Sequence, residues 1–127
     1  ATLTGVAKMA LGTEPPALFS NNHIESSRLV AATEAVYDPI FQMPLYKPYE
    51  RFLNQENGSL SSTGSSAYGG AITAALFLQK FVKKDTSWMH LDIMGWNLSN
   101  LPGRPVGGEA MSLRGCFHYI KEFIKTY

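Results

Sequence analysis

A histidine and an aspartate two residues apart, His90 and Asp92, stand in the apolar run Trp88-Met89-His90-Leu91-Asp92-Ile93-Met94-Gly95. Side chains alternate faces along a strand, so Trp88, His90, Asp92 and Met94 share one side. The run stops at a glycine, at the carboxyl end of a strand, where open α/β sheets usually place ligands. Two titratable groups in that position suit catalysis. They suit a structural task equally well, hydrogen-bonding nearby backbone and holding a loop.

Other residues that could carry chemistry are sparse. Gly69-Gly70 opens a helical pattern and could present backbone N–H groups to an anion. Close packing of the helix is the favoured reason for such a pair. The single cysteine, Cys116, cannot form an internal disulfide and lies in an apolar helical pattern, which predicts a buried, inert thiol. One unpaired cysteine also suits a reducing compartment. There is no His-Glu-x-x-His helix, phosphate loop or Gly-x-Ser-x-Gly elbow. The acidic residues are scattered, and none forms a cluster typical of a metal cage.

The elements that must position these residues follow from patterning. The 127 residues are 45% hydrophobic and 17% charged, enough for one compact domain or a piece of a larger one. Lys and Arg number 11 against 10 Asp and Glu, with no basic stripe among aromatics, which argues against a nucleic-acid partner. No stretch is long and apolar enough for a membrane helix, and no signal-peptide pattern opens the chain, so no membrane partner is expected. Ala1 to Gly5 reads as the end of a strand. Methionine removal accounts for a first alanine; a cut from a longer protein accounts for both features.

Ala17-Leu18-Phe19 is a strand candidate after Pro15-Pro16. Asn22 with Glu25 resembles a capping box, followed by Leu29, Ala32 and Val36 at helical spacing up to Pro39. A short helix is expected after Pro48, with Tyr49, Phe52 and Leu53 inward. Residues 54–66 form a long polar loop, of a kind that is either a mobile surface segment or part of a site or interface. A helix is predicted over 71–83. Its stripe is Ala71, Ala74, Ala75, Leu78 and Val82, widened by Ile72, Leu76, Phe77 and Phe81, with Thr73, Lys80 and Lys84 wet. Lys80, Lys83 and Lys84 suit that helix's carboxyl end. The strand 89–93 comes next, then a Pro/Gly-rich loop. A last helix over 109–125 should bury Leu113, Phe117, Ile120 and Ile124 and leave Arg114, His118, Lys121 and Lys125 wet, with Glu109 in its first turn. Alternating strands and helices imply an α/β fold with a largely parallel sheet.

Three blocks of residues resemble the carboxyl-terminal part of the leucine aminopeptidase, or cytosol aminopeptidase, family. The first is Ala1-Thr2-Leu3-Thr4-Gly5 with Ala10-Leu11-Gly12. The second is Ser62-Thr63-Gly64 with Tyr68-Gly69-Gly70-Ala71-Ile72-Thr73-Ala74-Ala75-Leu76-Phe77-Leu78. The third is the Trp88 to Gly95 run with Gly103-Arg104-Pro105. Their order and spacing match the family along the whole chain.

The resemblance implies part of a three-layer α/β/α sandwich with a mainly parallel mixed sheet, residues 1–127 being the carboxyl-terminal portion of the catalytic domain. It implies a metal-dependent enzyme that hydrolyses leucine-like amino-terminal residues from peptides. That enzyme would be cytoplasmic and homo-hexameric. It would use two divalent ions, manganese or zinc, and a bicarbonate in two-metal hydrolysis. The family's lysine-and-aspartate segment and its Asn-Thr-Asp-Ala-Glu-Gly-Arg motif precede the first block. This chain therefore is expected to lack catalytic and metal-binding residues, to bind no metal and to be inactive alone. By the same resemblance Thr2, Leu3 and Gly5 contact substrate, and Met94 and Asn97 line the pocket for its first side chain. Ala67 stands where many members have Arg, and Met94 is bulkier than the family's usual small residue. The family does not use His90 and Asp92 as ligands, so the pair is expected to orient the neighbouring loop. The rival reading is a non-catalytic binding or assembly module that retains the fold.

Overall fold

A computed structural model describes residues 1–125. The central strand β1 (Ala17–Ser20) is buried along its whole length, as its unbroken apolar run requires. It lies between β2 (Phe41–Gln42), which is parallel, and β3 (Met89–Asp92), which is antiparallel. Beyond β3, Thr2 makes a parallel bridge to Asp92: its N–H donates to the Leu91 carbonyl at 2.9 Å, and its own carbonyl accepts from Ile93 N at 3.0 Å. The sheet is therefore mixed. The predicted β3 loses one residue, because Ile93 bonds the first segment rather than β1.

Alternation along β1 divides the core. Ala17 and Phe19 pack with Ala7 and with Ala71 and Ala75 of α3 (Gly70–Gln79). Leu18 faces the other way, onto Ile40, Leu29 of α2 (His23–Ala35) and, at its edge, Cys116 and Tyr119 of α4 (Leu113–Lys125). Helices thus cover both faces of the sheet. A short helix α1 (Lys8–Leu11) and a 3-10 helix (Lys47–Leu53) complete the helical set. In the latter Leu53 is buried while Tyr49 and Phe52 are half-buried. The segment 54–66 is closed by a bridge between Asn54 and Leu60 and tied back by Ser65 N to the Phe52 carbonyl at 2.9 Å.

The Asn22 cap forms as expected, its side chain accepting from Ile24 N and Glu25 N at 3.1 Å each. Glu25 does not reach back to complete the box. It holds Arg28 at 2.8 Å and accepts from the Tyr119 hydroxyl, tying α2 to α4.

Two predicted helices change. The helix expected over 71–83 ends at Gln79. Lys80, Phe81 and Val82 donate to carbonyls three residues back, tightening the chain into a 3-10 turn, and Lys80 pairs with Glu50. The lysines therefore do not cap a helix end together. Thr73, expected on the wet face, is buried, with its hydroxyl donating to the Gly70 carbonyl at 3.1 Å; Phe81 is exposed.

The helix expected over 109–125 begins only at Leu113, so Glu109 lies outside it. The buried Asp38 sets this start. Its two carboxylate oxygens accept from Ser112 N and Gly115 N, both at 3.1 Å, satisfying donors that a helix start leaves unpaired. The buried face also differs. Leu113, Phe117, Ile120 and Ile124 are each more than half exposed, and His118 is half-buried. The packed side is Gly115, Cys116 and Tyr119. A Cβ built on Gly115 would lie 2.2 Å from Thr33 Cγ2, so α4 approaches α2 at its smallest residue. Close backbone approach decides the face here, against the apolar stripe.

Candidate functional site

β3 delivers His90 and Asp92 to one buried side of the sheet, and the first segment of the chain lies directly against them. One Asp92 oxygen accepts from the Thr4 hydroxyl and from Gly5 N; the other accepts from Ala7 N at 2.9 Å. Gly5 has φ +57°, a bend that lets its own N–H and that of Ala7 both face the carboxylate. His90 stacks between the rings of Phe19 and Trp88, each 6.0 Å away between centroids. Its Nε2 lies 3.4 Å from the Thr2 hydroxyl. Both members of the pair thus turn to residues 2–7, and this is the loop-holding task.

Burial disfavours the charged form of His90 and holds its pKa below the ordinary histidine range against the pull of Asp92. A lowered folded pKa means that the unfolded chain takes up the proton first. Stability is then full above about pH 6.5 and declines as pH falls through that value toward the folded pKa. His90→Phe keeps a ring in the stack and removes this titration. Chemical denaturation at several pH values should give wild type a steeper loss between about pH 6.5 and pH 5 than His90→Phe. Parallel curves would contradict this placement of the imidazole.

The structure brings four of the five expected substrate-contacting residues together. Thr2 bridges Asp92, and Gly5 lies against the Ile93–Met94 backbone, a Cβ there falling 3.8 Å from Met94 Sδ. Leu3 is 74% exposed and overlies Gly95. Gly95 itself was not among the expected residues. It has φ +69°, and a Cβ on it would meet Leu3 Cδ2 at 2.4 Å. A glycine ending an apolar run is the sequence signal for it. Asn97 lies on the two-stranded hairpin of β4 (Trp96–Asn97) and β5 (Gly107–Gly108). It is buried, and its amide donates to Glu109 Oε2 at 2.8 Å and the Pro105 carbonyl at 3.2 Å. Its nitrogen braces the hairpin.

The remaining candidates are structural. A Cβ on Gly69 would lie 2.7 Å from the Tyr49 ring, and one on Gly70 3.1 Å from Val6 Cγ1, so the pair permits close packing. Cys116 is half-buried, and burial is the chief cause that pushes its thiol pKa up, away from the reactive thiolate. Among the described residues, no three or more His, Cys, Asp and Glu side chains converge as a metal site. Asp92, the carboxylate beside these residues, has both oxygens engaged by protein donors. These residues do not fit a metal.

Residues 1–116 match the catalytic domain of the cytosol aminopeptidase family. The chain belongs to this family. It is 37% identical to a probable cytosol aminopeptidase of Prochlorococcus marinus subsp. pastoris over 123 residues, which are 95% of this chain and 25% of that protein. Its fold superposes on the crystal structure of a cytosol aminopeptidase from Coxiella burnetii with a TM-score of 0.88 and 48% identity, covering 96% of this chain and 27% of that one. The bottromycin maturation enzyme BotP, solved in complex with Mn, is similar at a TM-score of 0.89 and 32% identity, over 97% of this chain and 28% of its own. The chain thus spans about a quarter of the length of the curated relatives it matches.

Proposed function

We propose that residues 1–127 are the carboxyl-terminal portion of a metal-dependent aminopeptidase catalytic domain that removes leucine-like residues from peptide amino termini. The observation that carries this reading is the meeting of Leu3, Gly5 and Met94 where β3 gives way to Gly95. That is the carboxyl end of β3 and of the Thr2 segment beside it, which run parallel to each other, and the carboxyl ends of parallel neighbours are the usual ligand position of an α/β sheet. Leu3 and Met94 supply an apolar wall, and Thr2 to Gly5 supply backbone beside it. Asn97 supports that wall by bracing the hairpin that follows Gly95.

On this reading two divalent ions, manganese or zinc, and a bicarbonate belong to the complete enzyme and are held outside this chain. The residues here bind and orient the substrate's first side chain and exclude water from it. The complete enzyme is a cytoplasmic homo-oligomer, a hexamer on the family pattern. No helix among the described residues is long and apolar enough to cross a membrane.

Met94 tests the pocket. Its unbranched side chain fills space adaptably. Met94→Ala in the complete enzyme should enlarge the pocket and shift preference toward bulkier amino-terminal residues. A single methylene in such a pocket is worth about 1–3 kcal/mol, so the ratio of kcat/KM for Phe amide to that for Ala amide should rise about tenfold or more. Unchanged relative kcat/KM for Ala, Leu and Phe amides would remove Met94 from the pocket.

A further inference from the structure

We propose that Asp92 is a positioning residue for substrate, a buried carboxylate that presets the backbone of residues 3–5 from behind the pocket wall. The inference rests on the aminopeptidase reading above. Asp92 is 3% exposed, so it touches no substrate itself. Its donors, the Thr4 hydroxyl, Gly5 N and Ala7 N, all come from one short turn. A carboxylate cupped by N–H groups two residues apart on a tight turn fixes the conformation that points them inward. Here that conformation includes the left-handed Gly5. Fixing it places Leu3 over Gly95 and Gly5 against Met94, the two contacts on which the proposed pocket wall rests.

Thr2 alone cannot do this. Its backbone bonds to Leu91 and Ile93 anchor the strand side of the segment but end before the turn. Without the carboxylate the turn residues would satisfy their N–H groups in water, and residues 3–5 would sample other positions. Displacement of a substrate-contacting segment by about 1 Å can cost on the order of 100-fold in turnover efficiency.

The test uses Asp92→Asn and Thr4→Val in the complete enzyme. Asparagine keeps the shape but puts an NH2 where one acceptor stood, so at least one of the donors loses its partner in either amide orientation. Thr4→Val removes one donor and leaves the carboxylate. For leucine amide, Asp92→Asn should raise KM about 10- to 100-fold with kcat nearly unchanged, the pattern of lost uniform binding. Thr4→Val should raise KM in the same direction by about two- to fivefold, and it decides the matter alone if Asp92→Asn does not fold. Hydrogen exchange at Gly5 and Ala7 should accelerate in Asp92→Asn. A carboxylate that only held the fold would lower Tm and leave KM of the folded enzyme unchanged. Unchanged KM below both melting transitions, or unchanged exchange at Gly5 and Ala7, overturns the proposal. A wild-type enzyme inert toward leucine amide would instead overturn the aminopeptidase reading, while the exchange measurement still reads what Asp92 does to the turn.

Discussion

Replacing Gly115 with alanine should destabilise the protein, although alanine is the better helix former. In an exposed helix the substitution would gain about 1 kcal/mol. At this crossing the new Cβ would lie 2.2 Å from Thr33 Cγ2, 2.8 Å from its Cβ and 2.9 Å from its Cα. Rotation of the Thr33 side chain relieves only the first contact, so α4 must move away from α2. Overpacking of this kind costs typically 1–3 kcal/mol and sometimes more. The movement also pulls on the two Asp38 bonds at the start of α4, which would leave a buried carboxylate short of donors. A net loss of about 2 kcal/mol should lower Tm by roughly 5–15 °C in a thermal melt. Adding Thr33→Ala gives back part of the space, so the double variant should lose less than the sum of the single changes. A Tm that rises in Gly115→Ala, as it would on a solvated helix, would contradict the observed crossing.

What the sequence discloses and what it conceals follows the range of the interactions. The central strand was legible because its apolar run is unbroken, and α2 because Asn22 caps it from one residue away. The start of α4 was not legible. Its cap, Asp38, lies 74 residues before Ser112, and no local signal marks it. The buried face of α4 was hidden for a related reason. Periodicity selects Leu113, Phe117, Ile120 and Ile124, while the contact is made by a glycine against a threonine on another helix. The end of α3 carries neither Gly nor Pro; it is set by a 3-10 turn and the Lys80–Glu50 pair. The strands β2, β4 and β5 have two residues each, too few to show a period.

The site divides in the same way. The spacing of His90 and Asp92 placed both on one face of β3, and the structure agrees. The donors that complete Asp92 lie 85 to 88 residues away, and only the fold brings them there. The contact between Leu3 and Gly95 likewise needs the Thr2 bridge to β3 before it exists.

The second large effect concerns catalysis by the chain alone, which should be nil. Two-metal hydrolysis needs several ligands converging on ions about 3.5–4 Å apart. Here Asp38 and Asp92 are occupied by donors of the protein. Glu25, Glu50, Glu109 and Glu122 engage Arg28, Lys80, Asn97 and Lys125 respectively. Among the described residues no acidic set converges. The direct measurement is hydrolysis of leucine amide by the purified 127-residue chain with added manganese or zinc, alongside calorimetric metal titration, and the same assays on a polypeptide extended upstream to the family's metal-binding segments. No turnover and no saturable binding of two metals are expected for the chain, and chelator-sensitive turnover for the extended polypeptide. Chelator-sensitive turnover by the chain itself, with two metals bound per molecule, would contradict it.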